Sequence, residues 1–239
     1  MMNDATTATR RLAGLPEPEP LHPDLAACLV RRPGRLPSLE HPLIVQAPYI
    51  PPLASYVNGL YDSLSQRAET LLESQAYDRW LEMHARAYQL RVLTDKGGRI
   101  DHGTWWELVA SVFRRELPWF DDETGQWMKA LGADRPARRR FMTSGEAAAL
   151  DKLPDLLNVW RAVPTGNPAA GFSFFLDEAA ARAFASTARI RLELPENAFT
   201  LLRGRLQKPH AIALCQSRGM PELLAPPAKA VGEVEAGTV

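Results

Sequence analysis

The chain has no surplus of either charge. Its 28 Lys and Arg are matched by 28 Asp and Glu, so no net field draws it toward DNA, RNA or an anionic membrane, and nucleic acid is not an expected partner. No apolar run approaches the ~18 residues that cross a bilayer, and no charged-then-apolar leader opens the sequence. Neither a membrane span nor a signal peptide is therefore expected, and the expected location is cytoplasmic. Cysteine is scarce: Cys28 and Cys215 stand apart, without metal-ligand spacing, and read as reduced structural thiols. His84, His102 and His210 also lack a paired carboxylate or cysteine at ligand spacing, so no metal is expected. A Gly-rich phosphate loop, a Ser-His-Asp order and a nucleophile elbow are all missing.

Apolar residues are plentiful enough for a full core, at 46% of the chain. Half of the prolines fall in the first 52 residues, where no helical or alternating period survives. Residues 1–38 are therefore expected to be extended or disordered, and the weakly patterned tail, residues 226–239, to be flexible. From residue 52 the texture changes. Val57, Leu60, Tyr61, Leu64, Ala68, Leu71 and Leu72 share one helical face, and Tyr77, Trp80, Leu81, His84 and Tyr88 mark a second helix that closes at Gly97-Gly98. Thr104 with Glu107 and Thr143 with Glu146 have capping-box spacing and predict helices beginning near Trp105 and at Ala147. Asp121-Asp122-Glu123 predicts the start of a helix carrying Trp127 and Leu131. The six tryptophans, all between residues 80 and 160, read as core of this helical region, residues 39–152.

After Pro154 the chain reads as strands, over residues 157–163, 190–194, 199–206 and 211–216, with one helix opened by Asp177. The fold class expected is α+β, a helical region followed by a β-rich region, residues 153–225. Three side chains in that region are chemical candidates. Arg161 sits in a strand where a guanidinium can offer paired donors to a phosphate or ribose; an arginine on the solvent face is the plain alternative. Ser173 follows Gly171, whose missing side chain lets backbone approach a ligand, though a serine pinning one strand to the next reads equally well. Glu222, in an edge-like segment, can stabilise an oxocarbenium-like sugar or can simply be solvated. Arg135, Arg138, Arg139 and Arg140 form a basic run that reads as a solvated face.

The segments His41-Pro42-Leu43, His84-Ala85-Arg86-Ala87-Tyr88-Gln89-Leu90, Trp105-Trp106-Glu107-Leu108, Phe141-Met142-Thr143-Ser144-Gly145-Glu146 and Val159-Trp160-Arg161 resemble a family of uncharacterised bacterial and phage proteins. Gly171-Phe172-Ser173-Phe174-Phe175-Leu176-Asp177, Gly204-Arg205-Leu206-Gln207-Lys208 and Arg218-Gly219-Met220-Pro221-Glu222 are similar to the ADP-ribosyltransferase fold of the arginine-serine-glutamate class. That resemblance implies a split β-sandwich clasping NAD as substrate, with Arg161 and Ser173 binding NAD, Glu222 catalytic, and an acceptor that the sequence leaves unknown. It implies mono-ADP-ribosyl transfer or NAD hydrolysis. Three positions depart from the family pattern: Ala162 follows the arginine where glycine is usual, Phe175 replaces a hydroxyl, and Met220 replaces Glu or Gln two residues before Glu222. They keep open the alternative of a catalytically inactive binding or structural module on the same fold.

Overall fold

The computed structural model describes residues 19–115, 125–167, 171–216 and 219–238, so the expected helix start at Asp121-Asp122-Glu123 lies outside the described residues. The chain divides into two units, Met1–Val92 and Leu93–Val239. In the first lie helix α1 (Pro23–Ala26), an antiparallel sheet of β1 (Leu29–Val30), β2 (Ser38–His41) and β3 (Ile44–Pro48), and helices α2 (Ala54–Glu73) and α3 (Tyr77–Glu82). Helix α4 (Arg86–Lys96) runs across the boundary. The expectation of extended or disordered chain is therefore corrected for residues 19–38; residues 1–18 lie outside the described ones. Proline here does not prevent order. Pro23 opens α1, where a missing N–H costs nothing, and His22 Nδ1 accepts the Asp24 N–H. Leu25, Leu39, Ile44, Tyr49 and Ala54 then bury one another.

The single helix expected from Tyr77 to Gly97 is instead two. His84 Nδ1–H donates to the Trp80 carbonyl at 2.8 Å, and the Gln89 amide donates to the carbonyls of Leu81 and His84 at 3.1 Å. These side chains satisfy acceptors at the break, and the Ala85 N–H turns away to the Pro42 carbonyl. Nearby, His41 Nδ1 accepts the Leu43 N–H at 3.1 Å in the β2–β3 turn, with its ring edge-on to Tyr61. Burial holds the His41 pKa below its ordinary value, with Asp24 opposing and His84, Arg91 and His22 reinforcing the depression. The unfolded chain then takes up the proton first, so this contribution to stability is complete above about pH 6.5 and is lost as pH falls through the folded value. The expected result is an unfolding midpoint that drops below about pH 6.5, with the Leu43 amide resonance moving in step. A His41→Gln variant that keeps the same profile would reject it.

The second unit holds α5 (His102–Arg115), α6 (Gln126–Leu131), α7 (Ser144–Asp151), β4 (Leu156–Pro164), β5 (Ser173–Phe175), α8 (Glu178–Arg191), β6 (Phe199–Gln207), β7 (Ala213–Cys215), β8 (Glu222–Leu224) and β9 (Ala230–Thr238). Helix α5 starts three residues before the expected point because Asp101, not Thr104, caps it: Asp101 Oδ1 accepts the Thr104 N–H, and Glu107 pairs with Arg140 instead. Both bonds of the Thr143–Glu146 capping box are present at α7, and Asp177 Oδ1 accepts the Ala180 N–H at the start of α8. The strand expected over residues 190–194 is corrected to the end of α8 and the turn after it. Ala181, Phe184, Ala185 and Ala188 bury one helical stripe, which overrides the β preference of the exposed Ile190.

The unit boundary at Val92 and Leu93 falls inside the helical region expected over residues 39–152. Its physical reason is an aromatic cluster. Phe113 of α5 lies 5.4 Å from Trp127 of α6, 5.7 Å from Phe141 and 6.2 Å from Phe172, which enters β5. The helices after Leu93 thus share a core with the strands.

The six strands form one antiparallel sheet in the order β7-β8-β5-β4-β6-β9. β4 and β6 pair along their full lengths, from Leu156↔Gln207 to Pro164↔Phe199, whereas β4 and β5 meet only at Trp160↔Phe175. That one pair is the seam between two three-stranded halves. One face packs Ala162, Phe175, Phe199 and Leu201 against α8; the other packs Leu157, Val159, Phe174, Leu206, Leu214 and Leu223 with Leu150 of α7. The flexible tail expected over residues 226–239 is corrected for 230–238, which are β9, paired with β6. An outer strand exposing Val231 and Val234 has little burial to record in its sequence, and two register shifts break its alternation further.

Candidate functional site

Arg161, Ser173 and Glu222 lie on β4, β5 and β8, three consecutive strands of the sheet. All three are buried, at 3%, 7% and 2% exposure. Glu222 is not at an edge as expected: β8 runs between β7 and β5. The short strands put it in the interior because Glu222↔Phe175, Leu223↔Phe174 and Leu224↔Ser173 all pair on one side, while Cys215↔Glu222 and its neighbours pair on the other.

Cross-strand partners in an antiparallel sheet project from the same face, and neighbours along a strand from opposite faces. Ser173, Phe175 and Glu222 therefore share the α8 face with Trp160. Arg161, next to Trp160, belongs to the other face. Its contact there agrees: the Arg161 guanidinium lies 5.4 Å from the centroid of the Phe174 ring, and Phe174 is fully buried among Leu157, Val159 and Leu223. The fold thus brings Ser173 and Glu222 together on one face and sets Arg161 on the reverse of the sheet. Gly171, at φ +79°, supplies the left-handed residue that turns the chain into Phe172 and β5.

A further buried carboxylate bonds the backbone one residue beyond Cys215, the cross-strand partner of Glu222. Glu146, 4% exposed, accepts the Thr143 N–H at 2.8 Å and Arg114 Nη2 at 2.9 Å on Oε2, and the Gln216 N–H at 2.9 Å on Oε1. Arg114 Nη2 also donates to the Phe141 carbonyl at 2.8 Å. Burial alone pushes the Glu146 carboxyl up, but the backbone N–H groups of Gln216 and Thr143, with Arg114, outweigh it and hold the pKa below the usual carboxylate range. Gln216 follows Cys215, which pairs with Glu222, so Glu146 fixes one end of the connection that returns as β8. The capping box marked Glu146 in the sequence. Its bond to Gln216, 70 positions away, left no mark there.

The basic run is solvated as expected at Arg139 and Arg140, which are exposed, but Arg135 and Arg138 are half-buried. Arg135 lies 4.5 Å from the Trp105 ring and Arg138 5.5 Å from that of Trp106, Arg139 pairs with Asp151, and Arg140 pairs with Glu107. Among the described residues no group of three or more His, Cys, Asp and Glu could hold a metal ion, and no helix is long and apolar enough to cross a membrane. Comparison of the chain with protein-family models, with curated proteins and with solved structures finds no match.

Proposed function

We propose that the C-terminal unit is an ADP-ribosyltransferase-like module that takes NAD as substrate and transfers ADP-ribose to an acceptor or to water. The observation that carries this reading is the burial of Ser173 and Glu222 on adjacent strands and on one face of the sheet. Both are positions the family resemblance assigns to the class, and buried ionisable groups are costly enough to need a reason. The reaction breaks the bond from ribose to nicotinamide, which leaves with the electron pair; the sugar carbon bonds to the acceptor, which gives up a proton. Glu222 stabilises the positive charge on the sugar, and Ser173, on the neighbouring strand and the same face, orders the carboxylate side of the site.

One observation favours the second reading, a catalytically inactive binding or structural module. Arg161 does not fit the expected set, since Phe174 covers its guanidinium and it faces away from Glu222. Ala162, Phe175 and Met220 add to that reading. Pure protein incubated with NAD labelled in the nicotinamide separates the two. Release by the wild type that falls by about 10²-fold or more in Glu222→Gln supports the enzyme; release no greater than that of the variant leaves the inactive module.

A further inference from the structure

Arg161 is turned away, yet an arginine does share the face of Glu222. Three register pairs form one row across four strands: Arg203↔Trp160 between β6 and β4, Trp160↔Phe175 between β4 and β5, and Phe175↔Glu222 between β5 and β8. Directly opposed residues project together, so Arg203, Trp160, Phe175 and Glu222 line one face. Three strand spacings separate the ends of the row, about 14 Å at the backbone. The Arg203 guanidinium lies 5.4 Å from the Trp160 ring centroid, which fixes it on that side.

The row is also where cover by α8 ends. Phe199, Leu201 and Ala162 lie buried against the helix, whereas Arg203 and Arg205 on β6 and Asn158 on β4, further along the same face, are exposed. Among the described residues Arg203 forms no ion pair. A guanidinium lying over an indole ring keeps N–H groups for a planar or tetrahedral anion, and arginine meets a phosphate with two parallel bonds.

We infer that Arg203, rather than Arg161, is the residue that holds the diphosphate of the substrate, at the open end of the strip whose closed end is Glu222. This rests on the NAD reading. It assigns the two chemical needs of a dinucleotide to the two ends of one row: a cation for the diphosphate, and a carboxylate for the sugar carbon that becomes cationic. Arg205, opposite Asn158 and one row further out on the same face, adds positive charge.

Calorimetric titration of the full chain with ADP-ribose and, separately, with inorganic pyrophosphate tests the assignment. Arg203→Gln is expected to weaken both by about tenfold or more. Arg203→Lys should recover part of that loss, and Arg191→Gln, an equal change of charge at the exposed end of α8, should leave both unchanged. Melting curves of Arg203→Gln should match the wild type, because the side chain is exposed. Binding by Arg203→Gln as tight as the wild type overturns the inference, and so does a wild type that binds neither probe. A wild type that binds pyrophosphate but not ADP-ribose, with the loss in Arg203→Gln, supports Arg203 as the anion-holding residue and rejects the NAD reading.

Discussion

Glu146→Ala is expected to lower the unfolding free energy of the C-terminal unit by about 3 kcal/mol, the lower end of what removing one partner from a buried ion pair costs. Three donors lose their acceptor at once: the N–H groups of Thr143 and Gln216 and the Arg114 guanidinium. The lower end applies because the Arg114 side chain is 26% exposed and keeps some access to water. Thr143→Ala removes only the helix cap and should cost about 1 kcal/mol, so the difference between the two variants isolates what Glu146 does beyond the capping box. The sign with pH follows from the depressed pKa. The folded state releases this proton more readily than the unfolded chain, so the contribution is complete above the unfolded carboxyl value, about 4.3, and is lost as pH falls through the folded value. Urea melts of both variants from neutral to acid pH measure it. A Glu146→Ala cost no larger than that of Thr143→Ala would show that the Gln216 bond adds nothing.

What the sequence discloses is local. The capping box at Thr143 and the Asp177 cap are correct in the sequence because each is made between residues three apart, and a short bond of that kind needs no tertiary partner. The strands over residues 157–163 and 199–206 are legible because one face of each is buried along its length, so apolar residues recur at the period of the pleat. Where another part of the fold decides, the pattern misleads. Ile190 looks like strand and ends a helix, because the alanine stripe of α8 needs the sheet face. Residues 230–238 look like a frayed tail and form a strand, because pairing on the backbone of β6 does not require buried side chains.

The candidate site divides the same way. Arg161, Ser173 and Glu222 are found on adjacent strands, but which face each one takes depends on pairing, and a shift of one residue moves a side chain through the sheet. Trp160↔Phe175 is the pair that decides it. Nothing local to Arg161 records that its ring neighbour is Phe174, 13 positions on, or that Trp160 stands opposite Arg203. Arg203 belongs to no motif, and its only signal is a register that becomes readable once β4 and β6 are paired.

Phe113→Ala should be the most damaging single change in the C-terminal unit, costing about 3–5 kcal/mol, the range for a large buried aromatic reduced to alanine. Phe113 is fully buried and its ring meets Trp127, Phe141 and Phe172 within 6.2 Å. Those partners come from α6, from the 3₁₀ turn Arg138–Phe141 and from the segment leading into β5, so the hole opens where helices and sheet share one core and no single element can close it. The expected fall in midpoint is on the order of 10 °C for a unit of this size. The same cluster sets what can be cut away. A fragment of residues 153–239 keeps every strand of the six-stranded sheet but loses Phe113, Trp127 and Phe141, leaving the Phe172 ring and the α7 side of the sheet uncovered. Residues 93–239 retain them all. The longer fragment should melt cooperatively and the shorter one should not. A sharp cooperative melt of residues 153–239, with Phe113→Ala costing under about 1 kcal/mol in the full chain, would show that the sheet is stable without the helices that precede it.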